Sequence, residues 1–308
     1  MTAPPITELP SLRELSDIAA ENHPGGEAFA DGVNGKTVSW GEFDATSNRA
    51  ANALRTHVGP GDRVVFLCEA SVDHVTVWNG ALKAGCVVSN LHVRSSPETL
   101  RYCIDELQPR VLVLDEEFSS FFEDRVRPEL STTLDAVVTL GEPGTEYEKS
   151  LESFVDGHST TTPDVPTAET DVATVIWTSG TTGRPKGWCL TSRAAVFRGV
   201  KLMGALNISR TTRRVQVLSP SFAAWFTGTV PAMLTNSATC FLRTWDPEAY
   251  LRVIDEREQT MATLVPTMWR EVLDSEHFES HDLDSLERIT AAGERLDPTT
   301  LDRLQERV

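Results

Sequence analysis

Lysine is almost missing from this chain of 308 residues: of 28 basic side chains five are lysine and 23 arginine, against 45 carboxylates. The net charge of −17 is dispersed, with no acidic tail. That balance excludes nucleic acid and anionic membrane as bulk partners and gives no sign of a disordered interaction segment. A carboxylate-rich, lysine-poor surface suits high intracellular salt, where screening relieves self-repulsion, so a halophilic source is expected. Long apolar runs are also missing. None approaches the ~20 residues that a membrane helix needs, and Met1-Thr-Ala-Pro-Pro5 lacks the basic-then-apolar pattern of a signal peptide. Cys68, Cys86, Cys103, Cys189 and Cys240 are odd in number, contain no Cys-x-x-Cys and mostly lie in apolar runs. They predict buried thiols in a reducing compartment, and hence a cytoplasmic protein with no integral membrane segment.

What is present is an ordinary apolar fraction of 40% in a chain long enough for one large or two medium domains. A capped amphipathic helix over 10–22 leads to two short strands around Asn34-Gly35, a hairpin signal. From Val64 onward apolar strands and amphipathic helices alternate. Strands are expected near 64–68, 86–88, 111–114, 136–140 and 173–177, then near 215–218, 239–242, 261–265 and 288–292. Helices fall between them, Pro97–Leu107 with Ser96 as cap and a final one over 297–308 with a stripe of Leu301, Leu304 and Val308. This rhythm predicts an α/β fold with mainly parallel sheets covered on both faces. Residues 141–170 read as an exposed connection with one helical turn near Leu151–Val155.

The chemistry concentrates in Thr178-Ser-Gly-Thr-Thr-Gly-Arg-Pro-Lys-Gly187, which follows the β-branched run Ala173–Trp177. Gly180 and Gly183 let backbone N–H groups approach an anion. Thr178, Ser179, Thr181 and Thr182 offer neutral donors, and Lys186 a point charge. Pro185 before the lysine and Gly187 after it rule out a Walker A loop and disfavour a P-loop NTPase. Cys189 lacks a neighbouring base and reads as a buried strand cysteine. His277 and His281 lie in a polar segment and read as a solvated loop, not a metal pair.

The ten-residue string resembles the phosphate loop of adenylate-forming enzymes, which include acyl-CoA synthetases. Four further stretches resemble that family in the right order. They are Val38–Phe43, Ala81–Cys86 with Asn90-Leu-His-Val-Arg94, Ser219-Pro-Ser-Phe222 with Gly228, and Thr263–Thr267 with Ala291–Leu296. The resemblance implies two stacked, mainly parallel sheets flanked by helices, the large N-terminal domain of that family. Roughly 1–60 with 210–308 would form one subdomain and 61–209 the other, carrying the phosphate loop at its end. It also implies ATP with Mg²⁺, a carboxylic acid as substrate, and coenzyme A as acceptor. Lys186 and Thr181 are then catalytic. Thr178, Ser179, Gly180, Thr181, Thr182, Gly183, Lys186, Gly293, Glu294 and Arg295 would bind the nucleotide, and Phe222, Ala223 and Trp225 the acid. Ala223 stands where activators of α-amino acids carry an aspartate, which disfavours an amino acid. Two readings stand for Trp225, a pocket wall or a core tryptophan on a helix.

The chain ends before the family's Tyr-Gly-x-Thr-Glu motif and before the C-terminal domain with its catalytic lysine. The 308 residues alone are therefore expected to be severely impaired, and an exposed sheet edge to favour self-association. The rival expectation is an inert remnant, or a module that only binds nucleotide phosphates.

Overall fold

The computed structural model describes residues 9–178 and 183–307. In chain order the elements are α1 (Leu15–Asn22), β1 (Glu27–Asp31), β2 (Thr37–Ser39), α2 (Trp40–Leu54), β3 (Arg63–Leu67), α3 (Val72–Lys83), β4 (Val87–Asn90), α4 (Pro97–Leu107) and β5 (Val111–Asp115). There follow α5 (Ser119–Phe121), β6 (Ala136–Leu140), β7 (Glu148–Ser150), α6 (Leu151–Val155), β8 (Val172–Thr178), β9 (Lys186–Thr191) and α7 (Ser192–Ala205). The last group is β10 (Arg213–Gln216), α8 (Phe226–Thr235), β11 (Ala238–Phe241), α9 (Pro247–Glu256), β12 (Met261–Leu264), α10 (Pro266–Leu273), β13 (Arg288–Ala291) and α11 (Pro298–Arg307).

Helix starts follow local chemistry. Ser39 and Glu42 form a reciprocal capping box on α2. Ser96 accepts from Thr99 N at the head of α4, where Pro97 takes the first helical position. Asp246 does the same for α9 through Ala249 N at 2.8 Å.

The strands form two sheets, in the orders β13-β12-β10-β11-β1-β2 and β7-β6-β5-β3-β4-β8-β9. Pairing is parallel throughout except for the edge hairpins β1–β2 and β8–β9. Side chains alternate between faces, and this sets the layers. Val64, Phe66, Val111 and Val113 point to one core, shared with Phe29 and Phe241 of the other sheet and with α1, α2, α3, α7 and α8. Val65, Leu67, Leu112 and Leu114 point away from it, under α4 and the turns that follow β5. Ala30, Val215, Cys240 and Leu264 lie under α9 and α10. The order is helix, sheet, helix, sheet, helix, as the α/β expectation requires.

Lys83 is a buried cation of the middle layer. Lys83 Nζ, 1% exposed, contacts Asp44 Oδ1 at 2.6 Å, Asn48 Oδ1 at 2.7 Å and Asp17 Oδ1 at 2.9 Å. It thereby ties α1, α2 and α3 together.

Three expectations are corrected. Residues 141–170 are not all connection, because β7 adds a strand to the sheet edge and buries Glu148. That carboxylate is satisfied by Thr139 Oγ1 at 2.7 Å, Ser119 Oγ at 2.5 Å and Gly144 N at 2.8 Å, so no apolar signal marks the strand. Cys189 lies on a strand but is exposed, because β9 is an edge strand and both of its faces are open over Lys186–Cys189; the other four cysteines are buried. In α11, Leu304 is buried but Leu301 is 43% exposed, while Val308 lies outside the described residues.

Removing the buried cation leaves two carboxylates uncompensated. Lys83→Ala is expected to cost about 3 kcal/mol in denaturant unfolding. Lys36→Ala, which breaks an exposed pair with Asp73, should cost less than about 1 kcal/mol.

Candidate active site

The site grows from the hairpin of β8 and β9. Its register pairs Thr178 with Lys186, Trp177 with Gly187 and Ile176 with Trp188. Strand β8 is held against β4 by a side-chain relay, in which Trp177 Nε1 donates to Ser89 Oγ at 3.1 Å and Ser89 Oγ donates to Val175 O at 2.8 Å. Thr178 Oγ1 donates to Lys186 O at 3.3 Å and closes the base of the loop. Gly183 has φ +85° with nothing within 4 Å of an added Cβ, so the backbone angle, not space, requires glycine there. Arg184 lies over the Tyr102 ring, 5.3 Å from its centroid. Lys186 is exposed and forms no ion pair among the described residues. Ser179, Gly180, Thr181 and Thr182 lie outside the described residues.

The hairpin base borders a cavity of about 280 Å³ at the carboxyl ends of β4 and β8. Thr178 and Pro185 line it from the hairpin, Ser221 and Phe222 from the segment before α8, and Leu100 and Cys103 from α4. Two further walls, His92 and Trp177, were not singled out from sequence as site residues. Phe222 is 51% exposed and meets the His92 ring edge-on at 5.4 Å. Burial, with Arg94 adding to it, holds the His92 imidazole below its ordinary pKa. Asn90, also in the lining, accepts from His74 Nε2 at 2.9 Å. His74 is fully buried, and desolvation pushes its pKa down to about 4 against that hydrogen bond.

The remaining expected residues fall elsewhere. Ala223 is half-buried and packs on the middle layer. Trp225 is wholly buried, edge-on to Trp78 at 5.0 Å and to His74 at 5.3 Å. Trp225 is not in the lining of this cavity and packs between α3 and α8. Gly293, Glu294 and Arg295 are exposed just beyond β13, with Gly293 at φ +90°. Glu294 and Arg295 form no ion pair among the described residues. His277 and His281 have separate partners, since His281 Nδ1 lies 3.2 Å from Asp255 whereas His277 Nε2 lies 3.6 Å from Glu276. Three larger hollows, one by Lys36, Arg49 and Leu151, one by Arg13 and Pro166 and one by Leu286, Leu296 and Leu304, include neither the hairpin nor Phe222.

The two sheets are bridged beside this region. Arg243, just after β11, reaches Asp115 at the end of β5, with NH2–Oδ2 at 3.0 Å and NH1–Oδ1 at 3.4 Å. Asp115 Oδ2 also accepts from Glu69 N at 2.8 Å. The partners feel the pair differently. Desolvation dominates at the wholly buried Asp115 and pushes its pKa up to about 6. Arg243 keeps some solvent and, despite its own desolvation, is held above its ordinary value by Asp115 and Glu117.

Two mainly parallel sheets with a Gly/Thr hairpin and a lysine at their strand ends place the chain among α/β proteins that take ligands at carboxyl strand ends. Residues 16–308 match the AMP-binding enzyme family, and the chain belongs to that family. It is 32% identical over 270 residues to a 3-hydroxybenzoate–CoA ligase of Aromatoleum sp. (strain CIB), covering 86% of this chain and 51% of the relative. It is 31% identical to a 3-hydroxybenzoate/4-hydroxybenzoate–CoA ligase of Thauera aromatica, over 85% of this chain and 50% of the relative. The chain thus spans about half the length of these relatives. Its fold matches the N-terminal domain of FACL13 from Mycobacterium tuberculosis with TM-score 0.86 and 16% identity, over 97% of this chain and 73% of that one. It matches the anthranilate CoA ligase AuaEII in complex with anthranoyl-AMP with TM-score 0.90 and 21% identity, over 97% of this chain and 59% of that one.

The bridge carries a pH signature. Asp115 is raised in the fold from its ordinary 3.8, so the unfolded chain gives up this proton first. Its contribution is full below about pH 4, falls as pH rises, and is gone above about pH 6. Relative to wild type, Asp115→Asn should therefore gain about 2–3 kcal/mol between pH 4 and 6, on top of any constant offset. Parallel unfolding curves at both pH values would contradict this.

Proposed function

We propose that this chain forms the phosphate-binding and acid-binding part of an ATP-dependent carboxylic acid–CoA ligase. The observation that carries the reading is the β8–β9 register, which sets Lys186, without an ion pair among the described residues, opposite Thr178, itself part of the lining of a cavity walled by Trp177 and Phe222. In the proposed reaction a carboxylate oxygen attacks the α-phosphorus of ATP. The bond to the bridging oxygen breaks, pyrophosphate leaves, and an acyl-adenylate remains. A thiol, proposed to be coenzyme A, then takes the acyl group and releases AMP.

Two anions must approach one another in the first step, so charge stabilisation and positioning supply most of the catalysis. Lys186 is assigned to the β- and γ-phosphate oxygens, Thr178, Ser179, Thr181 and Thr182 to hydroxyl contacts, and Gly180 and Gly183 to loop closure over them. Gly293, Glu294 and Arg295 are assigned to the nucleotide's far side. Among the described residues no group of three His, Cys, Asp or Glu could hold a metal ion. Mg²⁺ is proposed to accompany the nucleotide, with the hydroxyls of Thr178, Ser179, Thr181 and Thr182 as neutral groups beside the phosphates. When bound, such an ion neutralises phosphate charge.

For the acid, a small aromatic carboxylate is the proposed class. Support comes from two hydroxybenzoate–CoA ligases matching more than four-fifths of the chain, and from the flat walls offered by Trp177 and Phe222.

The test is acid-dependent ATP–pyrophosphate exchange by the protein that carries this chain, with benzoate, 3-hydroxybenzoate and hexanoate as acids. Lys186→Ala is expected to lower exchange at least about a hundredfold. Unchanged exchange would remove Lys186 from the mechanism. ATP binding without exchange for any acid would favour the rival reading, a module that binds nucleotide phosphates only.

A further inference from the structure

We propose that His92 binds the acid directly: its Nε2–H donates a hydrogen bond to the carboxylate of a small planar acid lying between Trp177 and Phe222. The proposal rests on the acid-activation reading given above. Three observations carry it.

The first is the tautomer. Arg94 N donates to His92 Nδ1 at 3.1 Å, so Nδ1 must keep its lone pair and the neutral ring carries its proton on Nε2. Among the described residues Nε2 has no hydrogen-bond partner. The ring is half-buried in the cavity lining, so this N–H is a donor left open to a ligand in the cavity.

The second is elimination within the lining. Asn90 Oδ1 is engaged by His74 Nε2, Ser96 Oγ donates to Thr99 Oγ1 at 3.2 Å, Ser221 Oγ lies 3.0 Å from Ser219 Oγ, and Thr178 Oγ1 donates to Lys186 O. Ala223, next to Phe222, has no donor in its side chain. Of the two ring N–H groups in the lining, Trp177 Nε1 is taken by Ser89 and, among the described residues, His92 Nε2 is not; the Asn90 amide N–H and the Ser95 hydroxyl are the other donors left.

The third is the shape and chemistry of the space. At about 280 Å³ the cavity is at the small end for ligand sites, and Leu91, Leu100, Cys103, Trp177 and Phe222 make most of its wall apolar. Among the described residues no carboxylate lines it, so an anionic head group meets no repulsion from those walls. Thr178 and Pro185 belong to the same lining, which sets an acid held by His92 beside the phosphate hairpin.

The test measures equilibrium binding of benzoate, with ATP as the control ligand, to wild type, His92→Phe and His92→Gln. His92→Phe keeps a ring against Phe222 and removes both nitrogens; His92→Gln keeps an amide N–H. ATP affinity should stay within about twofold in all three, while benzoate affinity should fall about tenfold or more in His92→Phe and recover to within about threefold in His92→Gln. In the wild type, imidazole ¹⁵N resonances should report the Nε2–H tautomer and move on adding benzoate. Unchanged benzoate affinity in a folded His92→Phe overturns the role of His92 and leaves acid activation standing. Failure of benzoate, 3-hydroxybenzoate and hexanoate to bind a wild type that binds ATP overturns the acid-activation reading, and this proposal with it.

Discussion

The pairing of Thr178 with Lys186 across the loop is the constraint from which the rest of the site follows. An antiparallel pair at the end of an otherwise parallel sheet fixes both ends of the loop at once. One end is pinned through Trp177 and Ser89 to β4, in the interior of the sheet. The other carries the lysine. β9 is an edge strand and Lys186 is exposed on it, and among the described residues its charge is not spent on a carboxylate. A slip of one residue would turn Lys186 to the other face and move Trp177 out of the cavity wall.

That hairpin is useful only if the second sheet holds Phe222 against it. Two features of different character do this. The helical middle layer gives the bulk contact, with Trp78, Trp225 and Phe226 packed edge-to-face between the sheets. The Asp115–Arg243 bridge adds a directional contact at the strand ends. Its worth is limited, because the carboxylate is wholly buried and desolvation raises its pKa in spite of the arginine. The bridge therefore contributes more to the placement of the strand ends than to net stability.

Much of this was legible in the amino-acid sequence, for physical reasons. Strands buried on both faces show up as continuous apolar runs, so Val64–Cys68, Val111–Leu114 and Ala136–Leu140 stood out with nearly correct ends. The loop stood out because few other segments concentrate glycine, hydroxyls and a lysine directly after a β-branched run. Other features depend on contacts between distant segments. β7 is recognised only by the three donors around Glu148. Cys189 lies in an apolar run that turns out to be an edge strand. His92 was visible within Asn90–Arg94, but its place in the cavity depends on Phe222, more than a hundred residues later. Trp225 had two readings in the sequence, and the rings packed around it come from α3 and α8, far apart along the chain.

The central claim is that residues 178–187 clamp the terminal phosphates of ATP. Backbone amide NMR of the chain during titration with magnesium–ATP, and then with pyrophosphate, tests it most directly. Both ligands should move the amides of 178–187 by the largest amounts, with pyrophosphate reproducing most of the hairpin shifts and few of those beyond β13. Shifts clustered away from the hairpin, or a hairpin that answers ATP but not pyrophosphate, would contradict the account.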